Sequence, residues 1–119
     1  MATKQLTNFI ETYLSHRKQI LAMERTAKLK QISFNQFVML HMLSRETDLG
    51  TAAFAKKLNT SQAATARKLT HLQKLGYLEK LYGQSADQRH VQLVLTDAGK
   101  KLYRSLARQY QIDLEAWEQ

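Results

Sequence analysis

The chain has 119 residues, of which 44% are hydrophobic, and its 18 Lys and Arg against 10 Asp and Glu give a formal charge of +8. This length fits one domain, and the absence of cysteine excludes disulfides, thiolate catalysis and Cys-based zinc sites. No run approaches the roughly 20 apolar residues that span a bilayer, and the N-terminus lacks the apolar core of a signal peptide. We therefore expect a cytoplasmic protein without a membrane partner. Its positive charge favours an anionic partner such as nucleic acid.

The first segment predicts a long amphipathic helix over about residues 3–25. Apolar residues recur in it at spacings of three and four; they are Leu6, Phe9, Ile10, Tyr13, Leu14, Ile20 and Leu21. A helix of roughly 35 Å, at 1.5 Å per residue, is longer than a small core can cover. We therefore expect part of its apolar stripe to contact a second copy, and residues 1–26 are predicted as a dimerisation helix with Leu6, Ile10 and Tyr13 at the contact.

A second helix is predicted to start at Phe34, because Ser33 and Gln36 form a capping box in SFNQ. The run FVMLHML is apolar on nearly all sides, which is typical of a central helix buried by several neighbours. His41 lies in this run without a second metal-type residue three or four positions away. We expect a packed or interface histidine there and no metal site.

A short helix capped by Thr51 and a tight turn at Asn59 and Thr60 lead into the stretch NTSQAATARKLTHLQKLG, which predicts another helix. Ser61 is placed to cap its start, and Gly76 suits a left-handed stop at its end. Two short helices joined in this way are typical of a helix-turn-helix. The alternative for the second of them is an ordinary amphipathic helix of a small bundle.

The polar face of this helix combines small residues with cations. A helical wheel places five residues opposite the apolar stripe: Ala63, Ala66, Arg67, Thr70 and Lys74. A merely solvated helix usually carries long side chains of both charges, whereas small residues let a backbone approach another surface closely. No acid occurs between Asn59 and Leu78, and residues 51–90 carry seven cations and two acids. The excess of positive charge is therefore centred on this helix.

Two alternating segments, YLEKLY and HVQLVLT, predict a β-hairpin after Gly76. The connection GQSADQR is rich in turn formers, which favours a protruding loop, or wing. The residues assigned to the wing are Gly83, Ser85, Asp87, Gln88, Arg89 and His90.

The last segment predicts a helix that begins at Asp97 and is capped by Thr96. Its apolar stripe is again wider than a small domain requires, so residues 97–119 are predicted as a second dimerisation helix. The residues assigned to the contact are Leu102, Leu106, Tyr110, Leu114 and Trp117.

Three stretches together resemble the MarR family of bacterial transcription regulators: FNQFVMLHML, FAKKLNTSQAATARKLTHLQKLGYLEK and DQRHVQLVLTDAGKKL. The resemblance spans roughly residues 5–106, and its most specific pattern is Asp87, Arg89, Leu95, Thr96 and Gly99. It implies a mainly α fold with a small β-hairpin, organised as a single domain over residues 1–119. Within it, a winged helix-turn-helix DNA-binding lobe over residues 33–95 is flanked by the dimerisation helices 1–26 and 97–119.

The resemblance implies a homodimer that binds a pseudo-palindromic operator in double-stranded DNA, with a repressor as the favoured role. It also implies a small effector, often aromatic or anionic, bound where the first, second and last helices meet. Arg67 matches the family's arginine in the middle of the recognition helix, and Asp87 with Arg89 matches its wing signature. There are two departures from the family pattern. Gly50 stands where a polar cap is usual, so the first helix of the motif would start at Thr51, and family members usually add a further helix after the last one here.

The residues themselves predict how DNA would be bound. Ser61, Gln62 and the amides at the helix start would hold a phosphate, and Lys74 would hold another. The residues expected to meet base edges are Gln62, Ala63, Ala66, Arg67 and Thr70. Arg89 would enter a minor groove, the alternative being an intramolecular pair with Asp87.

Two other classes of function compete with this reading. An enzyme is disfavoured, and no cofactor is expected, because the sequence has no glycine-rich phosphate loop, no HExxH motif and four histidines on separate elements. A winged helix that binds a protein, or that binds DNA without sequence preference, stays open. Competition between one DNA fragment and random duplex at matched salt discriminates it from a specific regulator.

Overall fold

Three of the helices start where the predicted capping residues Ser33, Ser61 and Thr96 place them. A computed structural model of the protein describes residues 2–46, 49–82 and 91–118. In these ranges the elements are α1 (Ala2–Lys28), α2 (Phe34–Arg45), α3 (Thr51–Leu58), α4 (Gln62–Lys74), β1 (Leu78–Tyr82), β2 (Val91–Leu95) and α5 (Asp97–Trp117). The predicted mainly α fold with a small β-hairpin is confirmed. None of the described helices has the combination of length and apolar character that crossing a bilayer requires.

Helix α1 belongs to a first compact unit, residues 1–34. It ends at Lys28, three residues beyond the predicted end near Arg25. Gln31 adopts a left-handed conformation with φ 67°. The amides of Gln31 and Ile32 then donate to the carbonyls of Lys28 and Ala27, at 2.9 and 3.4 Å. This is the bond pattern of a Schellman motif, which closes the helix without a glycine.

The apolar stripe of α1 is exposed along most of the helix. The exposed fractions of its large apolar side chains range from 41% at Leu21 to 71% at Phe9. The members of this set, called the α1 stripe below, are Leu6, Phe9, Ile10, Tyr13, Leu14, Ile20 and Leu21. The stripe has the 3.6-residue period of a face that packs against another surface.

The second compact unit, residues 35–119, contains the other helices and the hairpin. Its helix α3 starts at Thr51 with Gly50 as the N-cap, and no side chain caps it. Thr51 is therefore the first helical residue, as the resemblance implied with Gly50 in the cap position, and not the capping residue that the local pattern predicted. Asn59 ends α3 in a left-handed conformation with φ 52°, and Ser61 then caps α4, as predicted.

Strands β1 and β2 pair antiparallel, with Leu78 opposite Leu95 and Tyr82 opposite Val91. The hairpin is joined to α5 by Thr96, whose amide donates to Tyr77 O at 3.1 Å and whose hydroxyl donates to Gly76 O at 2.6 Å. Gly76 itself has φ 86°, which a glycine adopts without strain.

Gly99 lies against this junction in the first turn of α5. A Cβ atom there would lie 2.1 Å from the carbonyl oxygen of Tyr77, so only glycine fits. Its amide donates to the Thr96 hydroxyl at 3.0 Å, which makes Thr96 the N-cap of α5.

The core of the second unit includes an aromatic cluster between α2 and α5. The Phe37 ring stacks on Tyr103, with centroids 5.5 Å apart, and meets the edge of Tyr110 at 4.7 Å. Tyr103 in turn has its hydroxyl 2.6 Å from Nδ1 of His41, whose own side chain is exposed. Whether His41 is a packed or an interface histidine therefore stays a prediction. Burial, with a smaller contribution from the nearby Asp113 carboxylate, raises the pKa of the Tyr110 phenol to about 12.

This packing corrects part of the predicted subunit contact. Leu102, Leu106 and Tyr110 are only 2–8% exposed within the protomer. Periodicity identified the apolar face of α5 correctly, but the protomer itself covers these three side chains. They therefore have almost no apolar surface left for a second copy, whereas Leu114 and Trp117 are each 37% exposed.

Candidate nucleic-acid interface

Helix α4 exposes the face that the helical wheel predicted. Thr65, Leu69 and Leu72 are buried beneath it. The exposed residues along it are Ser61, Gln62, Ala63, Ala66, Arg67, Thr70, Gln73 and Lys74, and His71 is exposed beside them. The seven predicted contact residues of this helix are thus brought together on a single face, and we call the whole exposed set the α4 face.

The start of α4 leaves hydrogen-bond donors available. The Ser61 hydroxyl oxygen accepts from the amide of Ala64 at 3.1 Å, and Thr65 donates its hydroxyl to Ser61 O at 2.9 Å. Because the first N–H groups of a helix have no partner within it, the amides of Gln62 and Ala63 stay available to an external acceptor. Together with the partial positive charge of the helix end, they can hold an anion.

The cations on and beside this face are largely unpaired. The described residues contain one ion pair, between Lys57 and Glu46 at 3.5 Å. Both partners are more than half exposed, so this pair contributes little to stability. Arg67, Lys74 and Lys80 have no carboxylate within ion-pair distance among the residues that the structure describes. The α4 face is therefore positive and uncompensated there.

A groove of about 540 Å³ lies between α4 and the hairpin. Ala66 and Thr70 line it from α4, and Lys80 and Tyr82 line it from β1. The sequence reading missed Gln73, which also lines the groove, and Tyr82. Gln73 follows Thr70 by three positions and Ala66 by seven, so the helical period that identified those two residues would have found it as well.

The predicted wing lies outside the described residues. Its members are Gly83, Ser85, Asp87, Gln88, Arg89 and His90. The alternative pairing of Arg89 with Asp87 lies outside them too. The hairpin is described from Leu78 to Tyr82 and from Val91 to Leu95.

A buried amide on α2 holds the middle of α4. Gln36 is 4% exposed, and its Nε2 donates to the Lys68 carbonyl at 3.0 Å and lies 2.9 Å from Nδ1 of His71. The sequence indicated Gln36 only as part of a capping box. No local pattern relates Gln36 to Lys68 and His71, which follow it by 32 and 35 positions in the chain.

Side chains that could ligate a metal ion do not cluster among the described residues. No group of three His, Asp or Glu residues converges within the described ranges in a way that could hold a metal ion. All buried side-chain nitrogen and oxygen atoms in those ranges have hydrogen-bond partners.

Comparison with solved structures identifies the fold. AbsC of Streptomyces coelicolor, a MarR family transcriptional regulator, superposes with a TM-score of 0.79 at 16% identity, covering 98% of this chain and 79% of that one. MarR of E. coli in its apo form gives 0.75 at 21%, covering 87% and 76%. The transcriptional regulator BldR of Sulfolobus solfataricus gives 0.72 at 23%, covering 95% and 78%. At these identities the likeness establishes a shared winged-helix fold.

Comparison with sequences is more selective. No curated protein matches the chain significantly. Residues 32–91, half of the chain, match the model of the MarR family. With the order of elements and the fold of its structural neighbours, this match shows that the chain belongs to the MarR family of transcriptional regulators.

Proposed function

We propose that the protein is a homodimeric transcriptional repressor that binds a pseudo-palindromic sequence in double-stranded DNA, with α4 as its recognition helix. The α4 face carries this proposal, because it joins small side chains, an exposed arginine and free helix-start amides on one surface without an acid. The proposal includes no catalytic activity and no cofactor.

Recognition of the DNA base sequence depends on the middle of α4. Ala63, Ala66 and Thr70 are exposed and small, so the helix backbone can approach the floor of a major groove, which is wide enough to admit a helix. Alanine methyl groups there contact thymine methyls. The Arg67 guanidinium can donate two hydrogen bonds to a guanine, which is the commonest specific contact.

Phosphate binding rests on the two ends of α4. The amides near Ser61 and Gln62 hold one phosphate at the helix start. Lys74 in the last turn holds another, about 20 Å along a helix of 13 residues. These contacts fix the register of the helix on the duplex without reading its sequence.

Dimerisation rests on exposed apolar surface at both ends of the chain. The α1 stripe supplies Leu6, Ile10 and Tyr13, and α5 supplies Leu114 and Trp117, all between 37% and 58% exposed. A symmetric dimer presents the α4 face twice, so it matches an operator with two related half-sites. Binding the second half-site then gains from a high effective concentration.

An effector site is supported by a groove of about 430 Å³ in the second compact unit. Leu43 of α2 and Leu93 and Leu95 of β2 line it with apolar side chains, and Lys100 and Arg104 of α5 add two cations. Both cations are exposed and lack an ion pair among the described residues. The acid in the lining, Glu46, is paired with Lys57 at 3.5 Å. This lining suits a small molecule with an apolar or aromatic body and an anionic group. Because β2 is a strand of the hairpin, such a ligand would also contact the hairpin that carries the wing.

The test is selection of bound fragments from the genome of the source organism, followed by competition against random duplex at two salt concentrations. We expect a single motif with two inverted half-sites, bound at least about 10³-fold more tightly than random duplex. Equal affinity for selected and random fragments would contradict the proposal and favour a nonspecific DNA-binding or protein-binding module.

A further inference from the structure

We propose that Gln36 is a positioning residue for α4 that requires a neutral His71, so that protonation of His71 weakens sequence-specific DNA binding. This inference rests on the proposed function, because it concerns how the recognition helix is held. It adds a proton-dependent control that involves neither the effector groove nor the dimer contact.

The hydrogen bonds of Gln36 determine how its amide is oriented. The oxygen and nitrogen of a glutamine amide are hard to distinguish by shape, so their partners must assign them. Lys68 O is a carbonyl oxygen and can only accept, which requires the NH₂ group of Gln36 to lie on that side, at 3.0 Å. The same NH₂ group lies 2.9 Å from Nδ1 of His71.

The orientation of the amide then determines the state of His71. An NH₂ group can only donate, so Nδ1 must be the accepting nitrogen of the ring. The contact as it stands therefore requires the neutral imidazole with its proton on Nε2. In the imidazolium form both ring nitrogens are donors, and Nδ1–H would face the NH₂ group. The amide cannot reverse to accept it, because its oxygen would then face Lys68 O.

The two atoms that Gln36 holds lie beside the reading residues. Lys68 directly follows Arg67, and His71 directly follows Thr70. The buried Leu69 and Leu72 support α4 through apolar packing, which is not directional. The Gln36 bonds are directional, so they restrict rotation of α4 about its axis. Their loss would let Arg67 move away from the geometry that two hydrogen bonds to one base require.

The surroundings of His71 do not compensate its charge. No carboxylate among the described residues lies within 4.0 Å of it. Of the charged or titratable residues on α4 and on the elements packed against it, Glu79 is the acid. The others are His41, Arg45, Lys56, Lys57, Arg67, Lys68, Lys74, Lys80 and Tyr82. Protonated His71 would thus add a cation to a positive surface.

The added charge should change nonspecific and sequence-specific DNA binding in opposite directions. An added cation on a DNA-binding surface strengthens binding to any duplex through phosphate attraction. Loss of the Gln36 bond weakens only the sequence-specific part. We therefore expect acidification to raise affinity for random duplex and to lower the ratio of cognate to random affinity.

The first experiment needs no DNA. Nitrogen-detected NMR of the ¹⁵N-histidine-labelled full chain reports which ring nitrogen carries the proton. We expect neutral His71 to be almost entirely in the Nε2–H form, and Gln36→Leu to yield a mixture of both forms. A wild-type His71 in the Nδ1–H form would overturn the proposal, whether or not the Gln36→Leu variant folds.

The second experiment measures the ratio of cognate to random affinity at about pH 8 and about pH 5.5, which bracket the range of histidine titration. In the wild type we expect the ratio to fall about fivefold on acidification, the order expected for the loss of one hydrogen bond. His71→Gln, which cannot be protonated, should change less than about twofold over the same range. His16→Gln on α1 is the matched control, and it should behave as the wild type does.

The two hypotheses fail in different ways. A wild-type protein that does not discriminate cognate from random duplex at about pH 8 contradicts the proposed function. A protein that discriminates, but whose ratio does not fall with acidification, contradicts the role of His71. If Gln36→Leu keeps the wild-type ratio at both pH values, Gln36 does not position α4.

Discussion

Helices α1 and α4 both expose an ordered face, and the chemistry of the two faces is opposite. The α1 stripe presents leucine, isoleucine, phenylalanine and tyrosine side chains that are 41–71% exposed. The α4 face presents alanine, threonine, glutamine and cations. Neither face is explained by the packing of its own unit, so each indicates a partner, and the side chains indicate its kind. A large apolar stripe suits another protein surface, whereas a small basic face suits a polyanion.

The difference teaches that amphipathicity alone does not identify a binding face. Both helices show the 3.6-residue period that would bury one side. Side-chain size and charge on the exposed side distinguish an oligomer contact from a nucleic-acid contact. The predictions below test this assignment by changing one face at a time.

The largest effect is expected from two charges on the α1 stripe. Phe9→Glu with Leu14→Glu replaces side chains that are 71% and 57% exposed. Since burying one such side chain stabilises by about 1.5–3 kcal/mol, dimer affinity should fall at least a hundredfold. Affinity for a palindromic site should then fall by about 10²–10⁴, because the second half-site no longer binds within one assembly. Sedimentation and DNA titration measure the two losses.

The control keeps the same added charge on the opposite side of α1. Asn8→Glu with Ser15→Glu lies on the polar face of the helix and should leave the dimer intact. A wild-type protein that sediments only as a 13.8 kDa species at micromolar concentration would contradict the assignment of the stripe.

Arg67→Ala should have the next largest effect, and only on cognate DNA. Loss of a base contact costs about 1–3 kcal/mol, or roughly 5- to 150-fold in affinity. Random duplex should lose little, so the ratio of the two affinities falls. The measurement is a competition titration against the selected operator and random duplex. Equal losses on both would mean that Arg67 contacts phosphate and reads no base.

Lys74→Ala should have a smaller and less selective effect. As a phosphate contact at the far end of α4, it should weaken cognate and random duplex alike. The slope of log affinity against log salt should become shallower by about one unit per subunit. A loss confined to the cognate site would instead assign Lys74 to base reading.

The apolar stripe of α5 differs from the α1 stripe, because its first part is buried within the protomer. Tyr110 is 4% exposed, and its pKa is raised from 10.0 to about 12. The folded protein holds the phenol proton of Tyr110 more tightly than the unfolded chain does. Protonated Tyr110 therefore contributes fully to the free energy of unfolding below pH 10.0, and this contribution is lost as pH rises toward about 12. Denaturant unfolding of wild type and Tyr110→Phe should show an advantage of the wild type that shrinks over this window. An unchanged difference would show that Tyr110 does not titrate this way.

Local chemistry made most of the fold predictable from the sequence. Ser61 and Thr96 cap α4 and α5 as predicted, and α2 starts where its capping box indicates. These capping signals involve only residues that are close together in the chain, so they can be recognised from the sequence without knowledge of the tertiary structure. The end of α1 was missed, because Gln31 takes the left-handed position without being a glycine.

Other features depend on which helices and strands pack against one another, and the periodicity of one segment does not contain this information. The pattern identified the apolar face of α5 but not what covers it, so Leu106 was assigned to a subunit contact although it is 2% exposed. Gln36 meets Lys68 and His71 because α2 lies beside α4. The α4 face itself was predictable, because one helix carries all of it.

The junction between the hairpin and α5 constrains how this protein can change by mutation. Thr96 and Gly99 connect the end of α4, the start of β1 and the start of α5 through hydrogen bonds of 2.6–3.1 Å and one close backbone contact. In a library that varies each position fully, Gly99 should accept no other residue, and Thr96 should accept only serine. Gly50, whose Cβ position is open, should accept many. Because these bonds connect the start of α5 to the residues that directly follow α4, we expect a displacement of α5 to move the end of α4 as well.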